Sequence, residues 1–382
     1  MTLNLLLWIL VVVGLFAIAV IGYDAVVGFN RWQRRIHIGR WSDMPAWKTA
    51  LANCGSRWLK HLPVVPKLDN DRLILLDKIT GQYSNPTIQS WQYAGLVLGL
   101  KTVRNNDFHI QFIDDAGNWR NTPVNIDFAL LAYALMSEDR LNGLGTAMKQ
   151  VYDLILSVKG DNDTVPYRRG MNGIRFVDTI GFICPFLVKY GLNYAVPDAL
   201  NLARMQIEEY DKMLFSGSAN FPPHAIDRER NLPLGVYDWG RGVGWYILGI
   251  TETYRCLPEG DFKEYLGARI VKLADELRQF QKASGGWGSS VFMADSPVEG
   301  SLTSLAGLLM VEAYSITGDK DYLSVAENAI RQLMAITQRN GAIDMCQGDT
   351  KGIGNYSTRY GYMPFAQGMA LLLVKRFGDA HT

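Results

Sequence analysis

The sequence predicts an all-α protein, an (α/α)6 toroid of six helical hairpins preceded by one N-terminal transmembrane helix. Three observations predict it. The chain begins with an uncharged apolar run of about 20 residues, Leu3 to Tyr23. Beyond residue 60 almost every long segment carries helical periodicity, and two kinds of helix alternate. The apolar kind recurs at intervals of roughly 60 residues, the period of a repeat array.

The apolar run reads LNLLLWILVVVGLFAIAVIGY, long enough to cross a bilayer as a helix. Ala17-Ile18-Ala19 has the small-residue pattern of a signal-peptide cleavage site. Yet Met1 to Asn4 contain no Lys or Arg, and a signal peptide needs a basic start. Arg31, Arg34, Arg35 and Arg40 follow the run, so the positive-inside rule puts the rest of the chain in the cytoplasm, with the periplasm as the alternative. Trp32, Trp41 and Trp47 suit either the interface or a helix face. The chain thus divides into a membrane anchor at 1–27, a basic juxtamembrane segment with a first helix at 28–60, and a barrel at 61–382.

The first hairpin is expected from DRLILLDKITGQ and IQSWQYAGLVLGLK, before residue 105. After it come helices apolar nearly all round: NIDFALLAYALM, FVDTIGFICPFLVKYG, GVGWYILGITETY, SLTSLAGLLMVEAYSI and MPFAQGMALLLV. Between them stand amphipathic helices such as DALNLARMQIEEYDKMLF and DYLSVAENAIRQLMAI. A helix apolar on all faces is buried, and one with a charged stripe lies outside. Landmarks at Asp127, Asp178, Gly244, Ser301 and Met363 are spaced roughly 51, 66, 57 and 62 residues apart. An open solenoid is the alternative, but it would need a polar face on the inner helices to line its concave surface. Strand-like alternation is scarce, with Ile110 to Ile113 (IQFI) the one short candidate.

Composition narrows the function. Hydrophobic residues make up 48%, charged residues 20%, and the formal net charge is +1, so nucleic-acid binding lacks its electrostatic footprint. The four cysteines lie far apart, and no C-x-x-C pair or Cys/His cluster suggests a metal site. No cofactor is expected. Cys184 and Cys256 fall in apolar helical patterns, where a buried thiol is the natural state.

In such a barrel the loops leading into the inner helices gather at one mouth. Here they are rich in Gly, Trp, Arg and Asp: PVNID, NGIRFVD, YDWGRGVGW, SGGWGSS, SPVEGS and GNYSTRYGYMP. Trp239, Trp245, Trp287, Tyr237 and Tyr362 can offer stacking faces to a sugar, or can pack in the core. Asp178 stands in RFVDTIGFICPFLV, almost without other polar atoms. Burial there would raise its pKa and suit it to general-acid work. The other reading is a helix N-cap. Asp127 in PVNIDFALL has the same setting and the same alternative. Paired carboxylates are a common theme in glycan enzymes and do not name a reaction. His224 in PPHAID is either a solvated loop residue or a site residue. Arg241 in WGRGVGW can fork onto a carboxylate, as an acidic sugar requires, or make an ordinary ion pair.

Taken in order, these motifs resemble the glycoside hydrolase 88/105 family of unsaturated uronyl hydrolases. RFVDTIGFICPFLVKYG resembles the family's Asp-Thr helix. PHAID resembles its His-Gly-Trp-Asp loop, keeping His224 and Asp227. WGRGVGW resembles Trp-Ala-Arg-Gly-Asn-Gly-Trp, keeping Trp239, Arg241 and Trp245. SGGW and VEGSLTSLAGLLM resemble later elements through Trp287, Glu299 and Ser301, and FAQGMALLL resembles the closing helix. The likeness runs over roughly residues 85–378.

The resemblance implies the (α/α)6 barrel, no metal, and a substrate bearing a 4,5-unsaturated uronic acid at its non-reducing end. It implies that Asp178 protonates the vinyl ether and then assists water addition, while Asp127 orients the sugar hydroxyls. By the same likeness His224, Asp227, Trp239, Arg241, Trp245, Trp287 and Glu299 bind the sugar, and Tyr362 is expected beside them as a stacking face. Gly240 and Val243 replace the family's Ala and Asn, and Ala225-Ile226 replace Gly-Trp, removing a stacking ring. The anchor is a further departure. It fits a membrane-associated group with the same barrel, found in bacterial exopolysaccharide biosynthesis (the VpsJ type). That likeness implies a single-pass protein of the inner membrane, held by lipid and working beside polysaccharide-synthesis machinery. It also implies the alternative role of a non-catalytic, accessory polysaccharide-binding barrel.

Overall fold

A computed structural model describes residues 2–104, 107–136, 143–160, 163–214 and 220–381. Phe215, at the end of one expected outer helix, and Ser218-Ala219, at the start of the His224 loop, lie outside them.

Six helices form the inner ring: α4 (Gln89–Leu100), α5 (Phe128–Met136), α7 (Asp178–Asn193), α9 (Gly240–Cys256), α11 (Gly300–Thr317) and α13 (Pro364–Asp379). Each packs against the next, and α13 packs against α4 to close the circle. Their residues are buried almost without interruption, which is why they read as apolar on every face. The amphipathic helices α6 (Gly145–Val158), α8 (Pro197–Leu214), α10 (Asp261–Leu277) and α12 (Asp321–Ala335) line the outside. Each core Leu or Phe removed from water contributes roughly 1.5–3 kcal/mol.

The seam between α4 and α13 is closed by glycine. A Cβ on Gly99 would fall 2.2 Å from the carbonyl oxygen of Gly368. One on Gly368 would fall 1.7 Å from the Gly95 oxygen. No other residue type permits that approach of two backbones.

The opposite end of the ring from the mouth is tied by a buried polar cluster. Arg376 of α13 forks onto Glu252 of α9 at 2.6 and 3.0 Å, and the Tyr133 hydroxyl of α5 donates to the same carboxylate at 2.7 Å. Burial alone would raise the Glu252 pKa, but the charge and hydrogen bond of Arg376 hold it below the ordinary value.

Three expectations need correction. Asp71–Gln82 is not a barrel helix: only α3 (Ile74–Ile79) forms there, and it packs on the N-terminal helix. The helix that packs on α4 and α13 is instead α2 (Met44–Lys60). Asp43 caps it by accepting from the Ala46 N–H, with Pro45 in the first turn, a start signal written in the sequence. The helical layers therefore begin at Met44, earlier than the expected boundary at 61. The third correction is IQFI, where Phe108–Gln111 is a 3-10 turn and only Ile113 makes a bridge, to Trp119. That turn fills the outer layer between α4 and α5, with Tyr93 edge-on to Phe112 at 5.2 Å.

The N-terminal helix α1 (Thr2–Arg35) runs past the expected end of the anchor at residue 27. Its stretch from Leu3 has the length and hydropathy of a membrane span and is almost wholly exposed. Its last turns sit on the barrel. Arg35 forks onto buried Asp344 at 2.7 and 2.8 Å, and Arg31 pairs with Asp71. Leu73, with a positive φ and no cap of its own, opens α3. Asp24 supplies the missing cap from α1, accepting from the N–H groups of Leu73 and Ile74.

Candidate active site

The chain returns to the mouth before each inner helix, so the starts of those helices and the loops before them share one rim. A small sheet organises part of it. Strands β1 (Ile174–Phe176), β2 (Ala225–Asp227) and β3 (Leu232–Leu234) pair antiparallel in that order. The pairing continues one step further, because the Val177 N–H donates to the His224 carbonyl at 3.0 Å. His224 is thereby held beside the next residue, Asp178. Gly235, at φ +75°, follows β3 opposite His224; a Cβ there would lie 2.9 Å from that of His224.

Asp178 is the first residue of α7, and the N-cap position belongs to Val177. Its side chain is 13% exposed, with Oδ2 4.0 Å from His224 Nε2. Oδ2 accepts no hydrogen bond from the described residues. Burial pushes the Asp178 pKa up to about 7, against the lowering effect of its own backbone N–H and of the Arg241 and Arg168 charges, and with a small further push from Asp127. His224 is buried, and its Nδ1 lies 3.2 Å from the Tyr356 hydroxyl. Burial first, and the nearby Arg241 charge second, bring its pKa down to about 4. At neutral pH the site thus pairs a neutral imidazole with a half-protonated carboxyl.

These groups line a mouth cavity of about 290 Å³. Trp91, Phe182 and Trp245 form its aromatic floor, with Trp91 edge-on to Trp245 at 5.3 Å. Arg168 and Arg241 bring positive charge to its wall, and Asn85, Asp349 and Lys351 close the rim. Arg241 is committed to the loop that follows β4 (Cys346–Gln347). It donates to the carbonyls of Gln347 and Gly348 and to Thr350 Oγ1, the last two at 2.7 Å. It is therefore a fixed charge that pins the loop; among the described residues it makes no ion pair, and its fork is taken by that loop.

Asp127 precedes α5 and is 1% exposed. Its Oδ2 lies 3.3 Å from Arg168, while Oδ1 has no partner among the described residues. Burial raises its pKa, and Arg168 opposes the rise. Asp127 lines an adjoining cavity with Asn125 and Phe128 that shares Thr87 with the first. Arg168 joins the two: it reaches Asp127, lies 3.7 Å over the Tyr167 ring, and faces the Asp178 cavity. Reading the sequence alone misses Tyr167 and Arg168. The signal was PYRRG, an aromatic and two cations one loop before RFVD.

Other expected sugar contacts lie elsewhere. Trp287 is fully buried and gives its indole N–H to the Leu277 carbonyl, so it is a core residue. Glu299 is also fully buried. It caps α11, accepting from the Leu302 N–H and the Ser301 hydroxyl, and takes the Gln347 N–H at 2.9 Å. Asp227 turns the β2–β3 hairpin by accepting from the Glu229 and Arg230 N–H groups. Tyr362 packs on Trp58 and lines a separate cavity beside α1. Trp239 lies behind His224 at 4.3 Å, stacks on Tyr356, and faces an open neighbouring groove.

The departures from the family motifs fall off the cavity wall. Ala225, Ile226 and Val243 are buried, and a Cβ on Gly240 would meet the Gly288 carbonyl at 2.8 Å. Among the described residues no three His, Cys, Asp or Glu side chains are grouped to hold a metal.

Residues 109–376 match the family model described as Glycosyl Hydrolase Family 88. No curated protein matches the sequence. Among solved structures, a possible member of the GH105 family from Salmonella enterica serovar Paratyphi A is similar at TM-score 0.73 and 17% identity, covering 88% of this chain and 94% of that one. A glycoside hydrolase of family 105 from C. acetobutylicum gives 0.67 and 16%, over 80% and 98%. The unsaturated glucuronyl hydrolase of Bacillus sp. GL1 gives 0.60 and 14%, over 90% and 96%. With a motif order and a ring that agree with this match, the chain belongs to glycosyl hydrolase family 88.

Proposed function

We propose that this protein is a glycosidase-type enzyme acting on acidic oligosaccharides or polysaccharides that end in a 4,5-unsaturated uronyl residue. The observation that carries the reading is Asp178: a carboxyl with a pKa near 7, one oxygen unbonded, facing an aromatic-floored cavity. In its protonated form Asp178 donates to one carbon of the vinyl ether. As the carboxylate it then takes a proton from the water that adds to the neighbouring carbon. The resulting hemiketal opens, the glycosidic bond breaks, and Asp178 ends protonated as it began. His224, neutral at pH 7, accepts or donates one hydrogen bond without competing for the proton. Arg168 and Arg241 supply positive charge for the uronate, and Asp127 offers its free oxygen to sugar hydroxyls. Trp245 and Trp91 form the surface on which the ring rests.

A second reading, an accessory barrel of exopolysaccharide assembly, is favoured by α1, a membrane-length apolar helix seated on the mouth side. Both readings take α1 as a single inner-membrane span with the barrel on the cytoplasmic side. Loss of near-ultraviolet absorbance from lyase-generated unsaturated oligosaccharides separates them. Hydration by the wild type, absent in Asp178→Asn, supports the enzyme; no loss with any acidic substrate refutes it.

A further inference from the structure

The seat of α1 is made from mouth-side connections. Among the described residues, its side chains bond to the segment before α4, through Asp71, Leu73, Ile74 and Lys78, and to the segment before α13, through Asp344 and Tyr360. Val20 is the last buried apolar side chain toward the N-terminus. From Leu3 to Ile18 the large apolar side chains are 46–69% exposed. The stretch suited to lipid therefore leaves the barrel from the rim of its mouth.

The cavity that Tyr362 lines, between α1 and that rim, is also about 290 Å³. Its wall carries five cations: Arg31, Arg34 and Arg35 from α1, and Lys78 and Arg359 from the rim. Among the described residues no carboxylate lines it. Buried Asp344 is taken by Arg35, and the exposed Asp71 is shared by Arg31 and Arg359. The Arg34 side chain is exposed and makes no hydrogen bond or ion pair among the described residues, and Lys78 donates to the Tyr23 hydroxyl and lies over the Tyr23 and Tyr83 rings, with no carboxylate on it. Two carboxylates thus stand against five cations, two of which have no acidic partner.

Depth identifies the ligand. Tyr23 closes the apolar run, where a tyrosine marks the membrane–water interface. The cavity starts at Val27, about 6 Å further along the helix axis at 1.5 Å per residue. That is the level of lipid headgroups. Guanidinium forks and an ammonium at that level match a phosphate, and basic pockets beside a membrane helix bind headgroups in this way.

We propose that the cavity between α1 and the barrel rim binds the phosphate of an anionic membrane lipid. Such a ligand would fix the barrel with its mouth rim against the bilayer, and the site is independent of the glycosidase reading.

The test uses the full chain in lipid nanodiscs containing phosphatidylcholine with or without phosphatidylglycerol. Native mass spectrometry after release reads the lipid retained by the wild type and by Arg34→Gln/Lys78→Gln. The wild type is expected to retain phosphatidylglycerol over phosphatidylcholine, and the variant to lose that retention by on the order of tenfold. Arg34→Lys/Lys78→Arg, which keeps the charge, should restore most of it. Circular dichroism and melting establish that the variants fold. Equal retention by wild type and variant, or no preference for the anionic lipid, overturns the proposal. A third arm adds inorganic phosphate: if millimolar phosphate binds and displaces the lipid, the site takes a free anion and the lipid assignment fails.

Discussion

Replacing Asp178 by Asn should cost activity and add stability, with a pH dependence that identifies the cause. An aspartate ordinarily titrates at 3.8, and burial moves Asp178 up to about 7. The folded state therefore holds this proton more tightly than the unfolded chain. The resulting stabilisation is fully present below pH 3.8 and is lost as pH rises through about 7. At 1.36 kcal/mol per unit, the loss is about 1.6 kcal/mol by pH 5 and about 4 kcal/mol by pH 8. The substituted asparagine has nearly the same shape and no charge to bury, so it avoids the loss. Relative to wild type, the variant should gain roughly 2.5 kcal/mol between pH 5 and pH 8. Melting of the detergent-solubilised full chain across that range measures it, as a Tm difference that widens by a few degrees with pH. In the same range, activity on an unsaturated oligosaccharide should fall about tenfold in wild type between pH 6 and pH 8, as the protonated acid disappears. A stability difference that does not change with pH, or one that shrinks as pH rises, would refute the argument that Asp178 is a desolvated acid.

Three further outcomes follow from the same geometry. The His224 imidazole, with its pKa brought down to about 4, should remain neutral at pH 5.5 in nitrogen-15 NMR, and a protonated ring at that pH would contradict its burial beside Arg241. Glu252→Ala leaves Arg376 buried and unpaired far from the mouth, so it should destabilise by about 3–5 kcal/mol in chemical unfolding while leaving KM unchanged. Gly368→Val forces a side chain into the Gly95 carbonyl, so it should prevent the ring from closing and yield insoluble or molten protein, whereas the exposed Gly378→Ala should express normally.

The ring is legible because its inner helices have no polar face, and that pattern survives without knowledge of any partner. Asp127 and Asp178 are legible for the same reason, since a lone carboxylate against an apolar helix is conspicuous. The rest of the cavity is less so. Tyr167 and Arg168 sit in PYRRG, which reads as a solvated loop until the fold lays the arginine against Asp127. The sheet that places His224 is built from three-residue strands, too short for an alternation to show. Trp245 opens an apolar helix and Trp287 stands in a glycine-rich loop, yet the two are buried alike; the fold alone places Trp245 along the cavity and turns the Trp287 indole to the Leu277 carbonyl. Glu299 enters as a sugar contact only through the family resemblance, and a motif likeness does not distinguish a carboxylate that faces a ligand from one that caps its helix, as Glu299 does. The early part of the barrel is misplaced by periodicity because the apolar pattern after Asp71 outweighs the short start signal at Asp43-Met44-Pro45.

If Asp178 is the acid that protonates an unsaturated uronyl residue, the proton it gives must end on carbon. The most direct measurement is solvent deuterium incorporation, followed by mass spectrometry, when the full chain turns over unsaturated oligosaccharides in heavy water. The wild type should fix one deuterium on carbon in the released uronate product, with loss of near-ultraviolet absorbance, and Asp178→Asn should do neither. Product released without carbon-bound deuterium, or turnover undiminished in the variant, would contradict it.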